Sequence, residues 1–160
     1  MAALLLITFI LFGFVIAGFM GAPWVPTLKR DVTSMLNDVK LNNGELFIEL
    51  GCGDGRLVSA AAKRGARAIG YEINPLLWLI AAVRNLQHYP KAKIYLGNFW
   101  PRDISKADVV MTFLMPKFMN KLENKTNAEM KAGSRLISYI FKLPTKKQSK
   151  QGAHWTIYTY

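Results

Sequence analysis

The pattern of apolar and polar positions divides the chain in two. From residue 2 to residue 25 no charge interrupts an apolar run, and Thr8 is its one polar side chain apart from the glycines. As a helix rising 1.5 Å per residue this run spans about 36 Å, enough to cross a bilayer with some tilt. A helix apolar on every face needs enclosing, and the rest of the chain is too small to enclose it. A cleaved signal peptide would have basic residues ahead of the run, and a transit peptide would be rich in Arg and Ser. This segment has neither feature. The expectation is an N-terminal transmembrane helix over residues 1–25. "APWVPT" then reads as a stiff connector, because Pro23 and Pro26 each disfavour helix at the residue before them.

Beyond the connector the pattern becomes periodic. Val32, Met35, Leu36 and Val39 recur at i, i+3, i+4 and i+7, the stripe of an amphipathic helix that "NNG" closes. Short β-prone runs follow in order: "ELFIEL", "RAIGYE", "KIYLG", "DVVMTFL" and "RLISYIF". Between them stand helical stretches: "RLVSAAAKRG", which Gly65 stops; "NPLLWLIAAVRNLQHY", capped by Asn74 with Pro75 at the first helical position; and "PKFMNKLENKTNAEMK". "HWTIYTY" predicts a sixth strand. The connection before it is too polar for a crossover helix, so that strand should pair antiparallel at or near an edge. Alternating strands and helices predict an α/β fold, a doubly wound and mostly parallel sheet with helices on both faces. The domain plan is an anchor at 1–25, a linker and amphipathic helix at 26–44, and the α/β domain at 45–160.

Charge adds orientation and partners. The net charge of +11 lies in the body, which suits nucleic acid or an anionic membrane surface. No zinc-finger spacing, basic heptad region or RNA-binding signature supports nucleic acid, so membrane lipid is the expected partner. No Lys or Arg precedes the span, while Lys29, Arg30 and Lys40 follow it. The positive-inside rule then gives a single-pass membrane protein with its body on the cytoplasmic or matrix-equivalent side. Cys52 is the one cysteine, so no internal disulfide is expected, and His88 and His154 are too isolated to build a metal cluster.

Candidate chemistry concentrates in "FIELGCGDGRLVSAAAKRG". Gly51, Gly53 and Gly55 follow the first strand, where the backbone must turn sharply and approach a ligand closely. In such folds the ligand lies beyond the strand ends at the point where strand order reverses. Arg56 stands where a dinucleotide fingerprint has its third glycine, and Glu49 and Asp54 would sit beside a pyrophosphate. The same carboxylates suit a cofactor bearing an ammonium, a sulfonium and hydroxyls. Glu72 ends the second strand, where an acid accepts hydrogen bonds from a ribose diol in either kind of cofactor.

With these residues in view, "ELGCGDGR", "YEINP", "LGNFW", "ADVVMTFL" and "MKAGSRLI" together resemble the ordered motifs of class I (seven-β-strand) S-adenosylmethionine-dependent methyltransferases, over residues 42–141. The apolar N-terminal run, "PWVPT", and "ELGCGDGRLV" with "YEINPLL" are similar more narrowly to the ATP synthase c-subunit lysine methyltransferase family and to archaeal protein-lysine methyltransferases. The resemblance implies S-adenosyl-L-methionine as cofactor and methyl transfer to a lysine of a protein, here a membrane-associated one. It further implies that Glu49, Gly51 and Gly53 hold the cofactor's amino-acid end, with Cys52, Asp54 and Gly55 in the same loop. Glu72 would take the ribose hydroxyls, Ile73 would pack on adenine, and Asn98 stands where the pattern usually has Asp.

A lysine acceptor must lose its proton before it can attack, and burial in an apolar channel favours the neutral amine. Phe113, Leu114, Met115, Pro116, Tyr139 and Phe141, at the ends of the fourth and fifth strands, are the candidates for that channel. No catalytic base is identified. The alternatives are a methyltransferase acting on a lipid, quinone or other small molecule at the membrane, an RNA methyltransferase, motivated only by the basic charge, and a non-catalytic S-adenosylmethionine-binding module.

Overall fold

The computed structural model describes residues 26–160, together with Met1 and Thr8. The expected transmembrane helix lies outside the described residues; among those described, no helix is long and apolar enough to cross a membrane. Helix α1 (Lys29–Asp38) leads into a repeating unit of strand and helix. The elements that follow are β1 (Leu46–Leu50), α2 (Arg56–Lys63), β2 (Arg67–Glu72), α3 (Pro75–Asn85), β3 (Ala92–Leu96), β4 (Val109–Thr112), α4 (Met119–Glu129), β5 (Arg135–Tyr139), β6 (Lys150–Gln151) and β7 (Trp155–Thr159).

The strands form one sheet in the order β3-β2-β1-β4-β5-β7-β6. The first five are mutually parallel, and β7 runs antiparallel to both β5 and β6. "HWTIYTY" therefore pairs as expected, one place in from the edge. The two-residue edge strand β6 has no β-prone signal in "KQ" and forms only by pairing with Ile157 and Thr156. Period-two alternation sorts the strand residues between two cores. Phe47, Val109 and Ile137 join Met35, Leu57 and Val58 on one side, and Ile48, Val110 and Leu136 join Met119 and Leu122 on the other. All four residues of the α1 stripe are buried.

Two features aim the ligand end of the sheet. The chain leaves β1 toward β2 on one side while β4 pairs on the other, so strand order reverses at β1, and the crevice of such a sheet opens there. Helix α1 is tied across the far half. Arg135 Nη1 donates to Val39 O at 2.8 Å, and Trp155 Nε1 donates to Asp38 Oδ2 at 3.1 Å.

Candidate active site

The glycines after β1 do what their type allows. Gly51, Gly53 and Gly55 have φ of 82°, 53° and 72°, the left-handed region that costs other residues roughly 1–2 kcal/mol. The backbone N–H groups of Gly51 and Cys52 both donate to Tyr71 O, at 3.0 and 2.9 Å, which fastens the turn to β2. A Cβ on Gly51 would meet nothing within 4 Å, so this turn faces open space. A Cβ on Gly70, by contrast, would lie 2.8 Å from Cys52 Sγ and 2.9 Å from Val58 Cγ2. Gly70 lets the loop lie against β2, and Cys52 packs there as a small buried side chain.

The three acids separate into different roles. Asp54 is clamped: Arg56 Nε and Nη2 donate to it at 3.0 and 2.7 Å, and Arg84 Nη1 lies 3.0 Å away. Burial alone would raise its carboxyl, but the two guanidinium groups outweigh that and hold it below the usual range. Glu72 is a backbone receptor. Its Oε2 accepts from Gly53 N and its Oε1 from Asn74 N, both at 2.8 Å, while burial raises its pKa. Glu49 is almost fully buried and its Oε2 has no hydrogen-bond partner. Burial first, then the charges of Asp54 and Glu72, push its carboxyl well above the ordinary range. A buried, partnerless carboxylate oxygen is costly unless a donor or cation arrives.

Ile73 is half-buried between Glu72 and Asn74, whose Oδ1 caps α3 by accepting from Leu76 N at 2.9 Å. Gly97 N donates to Glu72 O at 2.7 Å, which draws the end of β3 to the same place. Asn98 follows directly and its Oδ1 accepts from Trp100 N at 2.9 Å.

On the other side of the switch point, Leu50 pairs with Thr112, and Phe113 follows directly at the end of β4. The Phe113 ring meets Tyr139 edge-on at 5.4 Å and stacks near Phe141 at 6.4 Å. Met115 is half-buried and Pro116 exposed, whereas Leu114 is buried in the core beneath α4. Tyr139 is buried and donates its hydroxyl to Asp31 Oδ2 at 2.7 Å, and His154 Nδ1 lies 2.8 Å from the same oxygen. Burial opposes the Asp31 charge, yet these two partners bring its carboxyl below the usual range. Asp31 and His154 carry no local signal in the sequence, because they are 123 positions apart. Among the described residues no cluster of His, Cys, Asp and Glu could hold a metal.

The sequence model of the ANTKMT methyltransferase domain matches residues 49–150, from the partnerless glutamate to the edge strand. This chain belongs to that family. Within the family's wider kin, it is 36% identical over 125 residues to a protein-lysine N-methyltransferase of Saccharolobus islandicus, covering 76% of this chain and 78% of the relative. It is 34% identical over 136 residues to the ATP synthase C-subunit lysine N-methyltransferase of Rattus norvegicus, covering 84% of this chain. The match spans 58% of the rat protein's length. Among solved structures, an RNA methyltransferase from Salinibacter ruber in complex with S-adenosyl-L-homocysteine superimposes with a TM-score of 0.77 at 29% identity, covering 84% of this chain and 91% of that one.

Proposed function

We propose that this chain is a membrane-anchored, S-adenosylmethionine-dependent protein-lysine N-methyltransferase acting on a membrane-associated protein. The observation that carries the reading is the buried, partnerless Glu49 Oε2 beside the left-handed glycine turn and Glu72. That set of acceptors fits S-adenosylmethionine and suits a pyrophosphate poorly. Glu49 would hold the cationic amino group, Gly51 and Gly53 leave room for backbone approach, and Glu72 keeps acceptor capacity for the ribose hydroxyls. Ile73 and Asn98 would meet the adenine. When bound, the cofactor supplies a methyl group made electrophilic by positive sulfur.

The rest of the work falls to this chain's own residues. Phe113 meets Tyr139 and Phe141 ring to ring past the end of β4, and this aromatic cluster would form the apolar wall that an acceptor lysine passes. Such a wall depresses a lysine pKa and attracts its cationic form on approach. The Tyr139 hydroxyl is committed to Asp31, so the wall presents ring rather than acid to an incoming amine. Alignment of the two reactants in a dry cleft then accounts for much of the rate. The uncharged run at 2–25 and the basic residues that follow it support a single-pass membrane location with the domain on the cytoplasmic or matrix-equivalent side.

The test is incubation of the full chain with membranes from a strain lacking it and radiolabelled S-adenosylmethionine, followed by separation of protein, lipid and RNA. Label on lysine in a membrane protein is the expected result; label confined to lipid or RNA overturns the acceptor assignment. The RNA outcome has a specific motive in the Salinibacter ruber structure and the net charge of +11.

Glu49 adds a second prediction. Its carboxyl is raised in the free protein, so it holds a proton above the ordinary carboxylate range. A cation placed against it favours the ionised form and lowers that pKa, so binding releases a proton and affinity rises with pH through that window. Calorimetry in buffers of different ionisation heat should show proton release that Glu49→Gln abolishes. Equal release in both proteins would remove Glu49 from the cation site.

A further inference from the structure

Helix α3 hides only one side of itself. Leu77, Ala81 and Asn85 face the core, while Leu79, Val83 and Leu86 are 51%, 60% and 69% exposed and Ile80 is also exposed. The spacing i, i+4 and i+7 makes these one ridge along a helix about 16 Å long. Past the helix Tyr89 is 71% exposed, and on the α3 side of β3, the edge strand, Leu96 is exposed as well. Exposed apolar surface on this scale marks an interaction site rather than ordinary scatter.

The borders of the ridge say what covers it. Residues 73–102 contain four Lys or Arg side chains and no Asp or Glu. On the β3 side, just before the strand, stands the exposed Lys91. On the other side a cleft of about 310 Å³ between α1, α2 and α3 is lined by Lys29, Arg56, Lys63 and Arg84, with Ser59 and Gln87. Asp54 answers Arg56 and Arg84. Among the described residues Lys29 and Lys63 have no acidic partner. Lys29 also lies four residues beyond the uncharged run at 2–25. Apolar ridge, tyrosine and cations without acids form the chemistry of a surface that rests in the headgroup region of an anionic bilayer.

We propose that the α3–β3 face docks flat on the membrane, with an anionic lipid headgroup in the cleft between α1, α2 and α3. The consequence concerns reach. Helix α3 starts three residues after Glu72, so a bilayer against it stands beside the ligand end of the sheet. A lysine emerging at the membrane surface is then presented to the ligand end of the sheet. This inference rests on the anchored reading above but not on the methyltransfer chemistry.

The experiment uses the full chain reconstituted in phosphatidylcholine vesicles with or without phosphatidylglycerol. Cys52 is the one native cysteine and is buried, so Val83→Cys and Asn127→Cys can each carry an environment-sensitive fluorophore selectively. Asn127 lies exposed on α4, across the sheet. A nitroxide-bearing lipid should quench the probe at 83 several-fold more than the probe at 127. Phosphatidylglycerol should strengthen that quenching, and a Lys63→Glu, Lys91→Glu pair should weaken it, with circular dichroism melts showing the folds intact. Equal, weak quenching at both positions in chains that float with vesicles overturns the docking face alone. Quenching at 83 indifferent to phosphatidylglycerol and to the lysine replacements overturns the headgroup site. Probe self-quenching that vanishes on dilution identifies a second copy as the occupant and overturns the lipid assignment, and chains that fail to float overturn the anchored reading too.

Discussion

Glu72→Ala should lose S-adenosylmethionine affinity by roughly 100-fold or more, the size expected from removing two hydrogen bonds to a charged group. The carboxylate does two jobs. Under the proposed reading its remaining lone pairs would accept from a ribose diol, and its oxygens already receive Gly53 N and Asn74 N at 2.8 Å. Alanine would therefore strip the proposed ligand contact and release the glycine turn at once. Glu72→Gln keeps one acceptor oxygen and the side-chain shape, so it should fall between the parent and the alanine variant. Gly53→Arg reaches the same end by another route. At φ 53° an L side chain is strained, and a guanidinium there places positive charge where a cation is to be received. Isothermal calorimetry below the melting transition measures all three. Unchanged affinity in both Glu72→Ala and Gly53→Arg would remove the site assignment.

Gly55→Ala should cost the fold about 3 kcal/mol, combining left-handed backbone strain with overpacking. A Cβ there would lie 2.7 Å from Asn85 Nδ2 and 2.8 Å from Ala81 Cβ, with the Ala81 Cα at 3.1 Å. Asn85 cannot simply swing aside, because its Nδ2 donates to Gly55 O at 3.1 Å and to Ala81 O at 2.8 Å within the buried contact between α2 and α3. The melting temperature should drop by roughly 10 °C for a chain of this size. Gly51→Ala is the informative contrast. Its φ is also positive at 82°, yet nothing lies within 4 Å of the added carbon, so only the strain applies to stability. The new methyl would occupy space at the cleft, and its main effect should be on binding. Scanning calorimetry and cofactor titration of the two variants side by side separate the roles. A Gly55→Ala melt within a degree or two of the parent would show that the helix contact yields readily to the added carbon.

Much of this fold is legible in the chain itself. The alternation of β-prone and helical runs specifies a doubly wound sheet, because strand and helix periods are local properties of the chain. Sparse signals fail where structure is non-local. Lys150–Gln151 is a strand solely through β7. Leu114 and Phe113 are neighbours in a β-prone run, but the pleat sends Leu114 into the core under α4 and Phe113 toward Tyr139 and Phe141.

The candidate site divides in the same way. By itself the sequence determined the glycine turn and the presence of Glu49 and Glu72, since a tight turn after a strand and an acid at a strand end are written within a few residues. Only the tertiary structure decided what each acid faces. It gave Asp54 to Arg56 and Arg84, left Glu49 Oε2 without a partner, and brought Asp31 across 108 positions to Tyr139. It also decided which side of α3 stays bare. Local periodicity names a helix, but partners, burial and open surface depend on which distant elements the sheet order sets side by side.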